Sequence, residues 1–586
     1  MARAGRLTDE SKEAPMATSP TAPGLRREMS FLDLTMACLG AMIGSGWLLG
    51  ALAAAGMAGP ASVLAWLIGG IAVLLIGLVY AELSGMLPEA GGIARYPHFT
   101  HGSLTGWMMG WGAFLAYASV PAIEAEAVTQ YASRYIPALY PAAGSKAVAT
   151  PTGLVVDFVL VVLFFLINSL GVKIFAKTNT AVTLVKTIMP SLTILVFLFA
   201  AHHWGNFTAH SGGGFAPFGV AGVLKAVGLS GIIFSFLGFR QAVDLAAEAK
   251  NPQKDLPRAI MISVGIALVV YTLLQVAFII GVPGTALAKG WATINYTAPY
   301  AQLAGALGLG WLAVLLYADA VISPAGTGNV YAASTARVAY ALGRNRYVPK
   351  VLTRVSGTGI PIVAQIVGVI FTAAFLLPFP SWTSLVGVIS AATVFTYIIG
   401  PISAVVLRKT EPTARRPFRL AGMGVIAPAA FVIGSLIIYW TGWKVDWKLA
   451  VAILGGSLIW AIAVKGSGGA LAELNGSDVA SAAWLIVYVL FMLAATYFGS
   501  ARFGSPFNHA HGLVHYPFDL IGVVIGSLLF YFWGVASGRR GAEGTAALER
   551  VEAELSSAPG ARQATMAMGD AAQPAQRPHG MGPASA

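Results

Sequence analysis

The chain has 586 residues, of which 57% are hydrophobic and only 10% are charged, and its mean hydropathy is +0.73. No soluble domain of this length tolerates so apolar a surface, so the composition indicates a polytopic membrane protein. The net charge of +12 does not indicate nucleic-acid binding, because the charges form short clusters between apolar runs. The single cysteine, Cys38, excludes a disulfide framework and a thiol metal site.

Fourteen apolar segments are long enough to cross a bilayer. They lie at about residues 31–55, 60–86, 104–130, 152–172, 178–201, 223–246, 259–281, 303–336, 361–379, 382–407, 421–441, 448–464, 478–499 and 516–537. Residues 1–30 are polar and predict a cytoplasmic N-terminal tail without a cleavable signal peptide. Residues 538–586 are rich in Ala, Gly, Pro and Gln, which predicts a disordered cytoplasmic tail.

The basic residues of the loops predict the orientation. With the N-terminus inside, 21 Lys and Arg residues near the segment ends fall on the inner side and 6 on the outer side. Cytoplasmic loops of membrane proteins carry the excess of Lys and Arg. The sequence therefore predicts that both termini lie in the cytoplasm and that the protein resides in the cell membrane.

The stretch Gly228–Arg258 predicts a membrane helix that is broken near its middle. It contains Gly228, Gly231 and Gly238 and then reaches Arg240, ten residues before Lys250. At ~1.5 Å per residue this places Arg240 ~15 Å from the polar end, near the centre of a ~30 Å hydrocarbon core. Transporters unwind helices at such points, since free backbone groups are tolerated there only around a cavity. A kinked helix packed on a neighbour is the alternative, but it gives the arginine no role.

The first apolar segment carries a second break signal, with four glycines between Gly40 and Gly50. Breaks in the first and sixth segments are typical of an inverted repeat of five helices. This predicts a ten-helix core over residues 31–407, with repeats at 31–201 and 223–407, followed by accessory helices over 421–537.

Three sequence motifs resemble those of the amino acid, polyamine and organocation permeases. They are Gly44-Ser45-Gly46; Phe236-Leu237-Gly238-Phe239 with Ala247-Glu248-Ala249-Lys250-Asn251-Pro252 and Leu256-Pro257-Arg258; and Ala336-Arg337-Val338-Ala339-Tyr340-Ala341 with Pro349. The resemblance implies an all-α, five-plus-five inverted-repeat (LeuT-like) transporter fold and proton-coupled amino-acid uptake. The additional C-terminal helices make the chain similar to the bacterial aspartate–proton symporter group within that family.

An amino acid brings a carboxylate and an ammonium group into a low-dielectric site, and each needs a fixed partner. Unwinding at Gly44-Ser45-Gly46 leaves a half-helix starting near Trp47, whose N–H groups suit the carboxylate. Carbonyl groups freed at Gly40 to Ile43 and around Phe234 to Phe236 suit the ammonium. The predicted substrate-binding residues are Ile43, Gly44, Ser45, Gly46, Phe234, Ser235, Phe236, Gly238 and Arg240.

Lys186, Asp319 and Glu124 are the predicted proton-coupling residues. Lys186 lies nine residues beyond Lys177, ~13 Å along the helix, where a lysine costs ~3 kcal/mol unless it is paired or neutral. The resemblance, through Thr183 and Lys186, implies that this lysine lies beside the first break. A fixed ammonium there would take the place of the sodium ion of sodium-coupled relatives.

The chain departs from the permease pattern at Arg240, where the resemblance implies a glutamate. A positive charge at this depth favours an anionic substrate side chain, and hence aspartate or glutamate. Alternatively, Arg240 is paired permanently with Asp319 or Glu124, and the substrate is then a neutral amino acid.

Other functions remain open at this stage. They are a polyamine permease or exchanger, and a sensor that binds a substrate without transporting it. A hydrolytic enzyme is disfavoured because the segments contain neither HExxH nor GxSxG. The expected partners are an amino acid, protons and the lipid bilayer. The sequence predicts no catalytic residue, metal, cofactor or nucleic acid, and leaves the oligomeric state open.

Overall fold

The structure is a computed structural model that describes residues 29–89, 91–140, 148–170, 172–209, 212–356, 360–507 and 512–557. These residues form helices and loops, with one isolated β-bridge between Met29 and Ala249. The prediction of an all-α membrane protein is confirmed.

Eleven α-helices cover the first half of the described chain. They are α1 (Phe31–Met42), α2 (Ser45–Ala58), α3 (Ser62–Met86), α4 (Gly92–His101), α5 (Ser103–Ala132), α6 (Pro151–Ser169), α7 (Val172–Ala200), α8 (Gly219–Leu229), α9 (Ile232–Phe236), α10 (Arg240–Asp244) and α11 (Pro252–Gly281).

Eleven more follow in the second half of the described chain. They are α12 (Gly284–Leu287), α13 (Pro299–Ala306), α14 (Gly310–Arg344), α15 (Ile362–Leu376), α16 (Trp382–Tyr397), α17 (Ile399–Thr410), α18 (Met423–Thr441), α19 (Trp443–Gly466), α20 (Gly476–Phe498), α21 (Phe518–Ser537) and α22 (Ala542–Ser557).

Each predicted apolar segment contains at least one helix, but fewer helices meet a strict criterion of length and hydropathy. Ten stretches of the described residues qualify, or eleven with the bent pair α8 and α9–α10. Helices α2 and α3 count together as one 42-residue stretch. Helices α1 and α15 are short, with 12 and 15 residues. The total of fourteen membrane crossings therefore stays a prediction.

Both predicted breaks are present. Ile43 and Gly44 separate α1 from α2, and Ser230 and Gly231 separate α8 from α9 with a bend of 49°. Gly231 has φ +92°, a left-handed conformation that glycine adopts at no steric cost. Helix α5 packs along α14 and α16, α3 packs along α11, and α1 contacts α7, α11 and α14. The two breaks therefore lie inside the helix bundle and are covered on all sides.

Part of the predicted disordered tail is helical. Helix α22 lies within residues 538–586, and its Glu543 contacts His98 on α4 at 3.2 Å. This hydrogen bond lowers the pKa of Glu543. Just before the helix, Arg540 forms an ion pair with Glu411 at 2.7 Å. The prediction of disorder is wrong for this segment because the helix gains packing and charge partners on α4, which composition does not reveal. Residues 1–28 and 558–586 lie outside the described residues.

The predicted orientation leads to a labelling experiment. Lys350 and Lys289 are both exposed, in loops that the charge count places on opposite sides. The native Cys38 is buried and gives an unreactive background. In intact cells, an impermeant thiol reagent is expected to modify Lys289→Cys and to leave Lys350→Cys unmodified until the membrane is permeabilised. Labelling of Lys350→Cys in intact cells would contradict the orientation.

Candidate functional site

The start of α2 holds a carboxylate of the protein itself. Gly44 precedes this helix without a side-chain cap, so its first N–H groups lack partners within the helix. The Ser45 N–H donates to Glu124 Oε2 at 2.9 Å, and the Ser45 hydroxyl accepts from Trp382 Nε1 at 2.8 Å. A side chain at Gly44 would place its Cβ 2.5 Å from Glu124 Oε1. Glu124 thus occupies the position at which the sequence predicts a substrate carboxylate.

Lys186 reaches the carbonyl end of α1, as predicted. Its Nζ donates to Gly40 O at 2.6 Å and to Thr327 Oγ1 at 2.7 Å, and its side chain is buried. The Thr327 hydroxyl lies 3.0 Å from Gly40 O and 3.2 Å from Ile43 O. Since a hydroxyl has one hydrogen, Thr327 can donate fully to only one of these two carbonyl groups.

The residues of the second break divide into two groups. Phe234 and Ser235 face the start of α2: a Cβ at Gly46 would lie 2.2 Å from Ser235 Oγ and 3.4 Å from the Phe234 ring. Phe236 instead packs edge-on against the Tyr271 ring, with centroids 5.3 Å apart. Gly238 is the remaining predicted residue near the second break.

Gly238 lies directly against α1. A Cβ there would come within 2.5 Å of Cys38 O. Phe236 and Gly238 therefore pack the break against its neighbours, while Phe234 and Ser235 border it.

Arg240 is fully buried between two aromatic rings. Its guanidinium carbon lies 4.2 Å from the centre of the Tyr117 ring and 5.2 Å from that of Tyr397. Nη1 donates to Thr396 Oγ1 at 3.1 Å, whereas Nε and Nη2 have no hydrogen-bond partner. Asp244, one helical turn further on, interacts electrostatically with Arg240 and accepts a hydrogen bond from the Tyr117 hydroxyl. The Nε–H and the Nη2 amino group of the guanidinium are therefore buried without a hydrogen-bond partner among the described residues.

The alternative pairing of Arg240 with Asp319 or Glu124 is wrong. Asp319 accepts from Ser323 Oγ at 2.8 Å and interacts with the charge of Lys186. Glu124, on α5, accepts from the Ser45 N–H at the start of α2, and Lys186 likewise acts on its charge. Both carboxylates therefore belong to the surroundings of Lys186. Asp244, on the same short helix as Arg240, is the acid that the sequence-based interpretation passed over.

Sequence reasoning also missed Thr327, Trp382, Tyr271 and Tyr117. Tyr271 donates to Met42 O at 2.8 Å and so satisfies another carbonyl at the first break. The sequence signal for Thr327 was the short motif Gly326-Thr327-Gly328. In the structure the first of these glycines lies close to the lysine, and a Cβ at Gly326 would be 3.2 Å from Lys186 Nζ. The aromatic residues stand in ordinary apolar segments and carried no such signal.

The narrow gap between α2 and α9 gives a testable prediction. Gly46→Ala is expected to weaken substrate binding by about 1–3 kcal/mol, about 5- to 150-fold, because the added methyl group forces the two broken helices apart. Gly56→Ala is the matched control, since a Cβ at Gly56, in the same helix, meets nothing within 4 Å. Equal affinities of the two variants would show that the Gly46 contact does not shape the site.

The arrangement brings one lysine and two carboxylates to the broken end of a helix. A carboxylate binds the α2 N–H groups, a buried ammonium group binds the carbonyl end of α1, and both helix ends meet at Gly44. Helix ends of this kind suit the carboxylate and ammonium groups of a small zwitterion. Among the described residues, no cluster of His, Cys, Asp and Glu suits a metal ion.

Comparison with known proteins agrees with this geometry. The family model described as amino acid permease matches residues 29–462. The glutamate/serine transporter AimA of Bacillus subtilis is 40% identical over 522 residues, which are 88% of this chain and 94% of the relative. The aspartate-proton symporter of the same organism is 38% identical over 517 residues, 88% of this chain and 97% of the relative. The branched-chain amino acid permease BcaP is 27% identical over 453 residues, 74% and 92% of the two chains. The chain therefore belongs to the amino acid permease family, and it is a membrane transporter and not an enzyme.

Proposed function

We propose that the protein imports an acidic amino acid, aspartate or glutamate, together with protons, by alternating access. The names of two relatives, a glutamate/serine transporter and an aspartate-proton symporter, support this class of substrate. The observation that carries the proposal is the Glu124 carboxylate on the Ser45 N–H, beside the buried Lys186. It supplies both an anion site and a group that can respond to protons.

The first step is an exchange of carboxylates at the start of α2. The substrate's α-carboxylate takes the Ser45 N–H, which Glu124 now occupies, together with the neighbouring N–H groups. The α-ammonium binds Ile43 O, which becomes free when the Thr327 hydroxyl donates to Gly40 O instead. Substrate binding therefore releases the Glu124 side chain.

In this proposal the exchange couples substrate binding to the uptake of a proton. Lys186 and Glu124 together carry no net charge when both are ionised. A displaced Glu124 carboxylate would lie in a low-dielectric site next to a second carboxylate, that of the substrate. Protonation of Glu124 removes this repulsion, so each substrate molecule enters with a proton. Lys186 stays on Gly40 and provides the fixed positive charge, while Asp319 supports it.

The substrate side chain is recognised by Arg240. Its free Nε and Nη2 form the fork that binds a carboxylate in two-point fashion. Serine, which the name of one relative includes, lacks such a carboxylate. A neutral substrate would leave these N–H groups buried without a partner, which disfavours it.

Competition experiments test the choice of substrate. In cells that produce the protein, uptake of labelled aspartate is expected to be inhibited by glutamate far more strongly than by asparagine, glutamine or putrescine. Inhibition by serine equal to that by glutamate would favour a neutral-amino-acid transporter instead. Binding of these amino acids without any uptake by proteoliposomes would favour a sensor. The proposed setting is the cell membrane, with both termini in the cytoplasm.

A further inference from the structure

A second group of buried polar side chains lies between α5 and α6. Glu126 and Asp157 are both fully buried, and the charge of Asp157 acts directly on Glu126. The Thr129 hydroxyl, one turn beyond Glu126, donates to Asp157 Oδ1 at 2.6 Å. Glu126 follows Glu124 by two residues and so points away from the substrate site. The two sites thus occupy opposite faces of the same helix.

Most oxygen atoms of this group have no hydrogen-bond partner. Both carboxylate oxygens of Glu126 and Oδ2 of Asp157 are unsatisfied. Tyr140, which is 4% exposed, brings its hydroxyl close to Thr129 and to both carboxylates, yet this hydroxyl makes no hydrogen bond of good geometry. Buried polar atoms without partners are costly, so four of them around one point indicate that the site takes up a ligand.

Among the residues that the structure describes, the neighbouring elements supply no counter-charge. Among the described ion pairs, none joins a cation to Glu126 or Asp157. Five charged or titratable groups on the described elements around α5 and α6 have other partners. They are Lys186 (Gly40 and Thr327), Asp319 (Ser323), Tyr317 (Arg134), Tyr397 (Leu237) and Lys448 (the Phe379 ring). Helix α15 contains no titratable residue.

We propose that Glu126 and Asp157 together bind one proton at a site separate from the substrate site. Two neighbouring carboxylates in a low-dielectric interior cannot both stay ionised without a cation. One proton, taken from water, forms an O–H bond on one carboxylate and a hydrogen bond to the other. The Tyr140 hydroxyl then donates to the remaining negative charge. Proton binding at this pair does not depend on the identity of the substrate.

Infrared difference spectroscopy of the purified full-length protein between acidic and alkaline pH tests the proposal. The wild type is expected to show the carbonyl band of a buried protonated carboxyl group, and Glu126→Gln and Asp157→Asn are each expected to lose it. Glu473→Gln is the matched control, because Glu473 is exposed and lies outside the helices. Glu124→Gln should retain the band of the pair, which separates this site from the proposed coupling site.

Two results would overturn the assignment. One is the absence of a protonated-carboxyl band in the wild type at every pH, which does not depend on whether any variant folds. The other is selective stabilisation by Na⁺ over K⁺, lost in Glu126→Gln, which would make the pair a sodium site. Loss of the band in both variants, without a sodium effect, would support the proton site even if transport proved independent of pH.

Discussion

Lys186→Ala is expected to abolish accumulation of the substrate driven by an acid-outside pH gradient. The substitution removes the fixed positive charge that holds Gly40 O and Thr327 and that balances Glu124. Without it, uptake should reach only equilibration, and its pH dependence should flatten. Exchange of labelled for unlabelled substrate should persist in part, because the proposed substrate contacts lie mainly at the broken ends of α1, α2 and α9. Counterflow and gradient-driven uptake in proteoliposomes measure the two properties separately.

Lys225→Ala serves as the control for this experiment. Lys225 is a half-buried lysine of α8, away from the first break. Its replacement should leave gradient-driven accumulation intact. Unchanged accumulation in Lys186→Ala would refute the assigned role of the lysine. Loss of counterflow as well as accumulation would assign Lys186 to substrate binding.

Arg240→Lys is expected to weaken the binding of aspartate and glutamate by about thirty-fold to several-thousand-fold. This corresponds to the ~2–5 kcal/mol that a desolvated charge pair contributes. Asparagine and glutamine should be affected much less. Lysine keeps the charge but loses the planar fork and the stacking between Tyr117 and Tyr397. Inhibition constants for the four amino acids, measured against one labelled substrate, give the comparison.

Substitution of Asp244 together with Arg240 distinguishes a binding role from a structural role for the arginine. If Arg240 serves only to balance Asp244, Arg240→Gln should destabilise the protein for every substrate, because it strands a buried carboxylate. The double variant Arg240→Gln with Asp244→Asn removes both charges. Recovery of aspartate transport in the double variant would show that the arginine is structural. Stable protein that no longer selects aspartate over asparagine would support the binding role.

Much of the fold was predictable because its strongest signals are local. Gly44 and Gly231 mark the two breaks, and long apolar runs mark the helices. Helix α22 was not predictable, since it is stabilised by contacts such as that of Glu543 with His98, which join residues far apart in sequence. Fewer helices than predicted meet the criterion of length and hydropathy for a related reason. Helix α5, which does not meet it, carries Glu124 and Glu126, whose burial depends on neighbouring helices.

The structure brings several of the predicted residues together, but in pairings that the sequence does not predict. The depth of Lys186 and Arg240 along their helices identified both as candidates, because charged residues inside a membrane are costly and usually functional. Which acid each one meets depends on how helices rotate about their axes, and a shift of one residue turns a side chain by about 100°. The sequence therefore left Asp319 as a partner for Arg240, whereas the fold places Asp319 by Lys186 and Asp244 by Arg240.

Uptake of labelled aspartate into proteoliposomes tests the proposed proton-coupled import of an acidic amino acid. Vesicles with an acidic exterior should accumulate aspartate above equilibrium, and a protonophore should abolish this accumulation. Vesicles with equal pH on both sides and no membrane potential should only equilibrate. Accumulation that does not respond to the pH gradient, or a gradient response confined to neutral amino acids, would contradict the account.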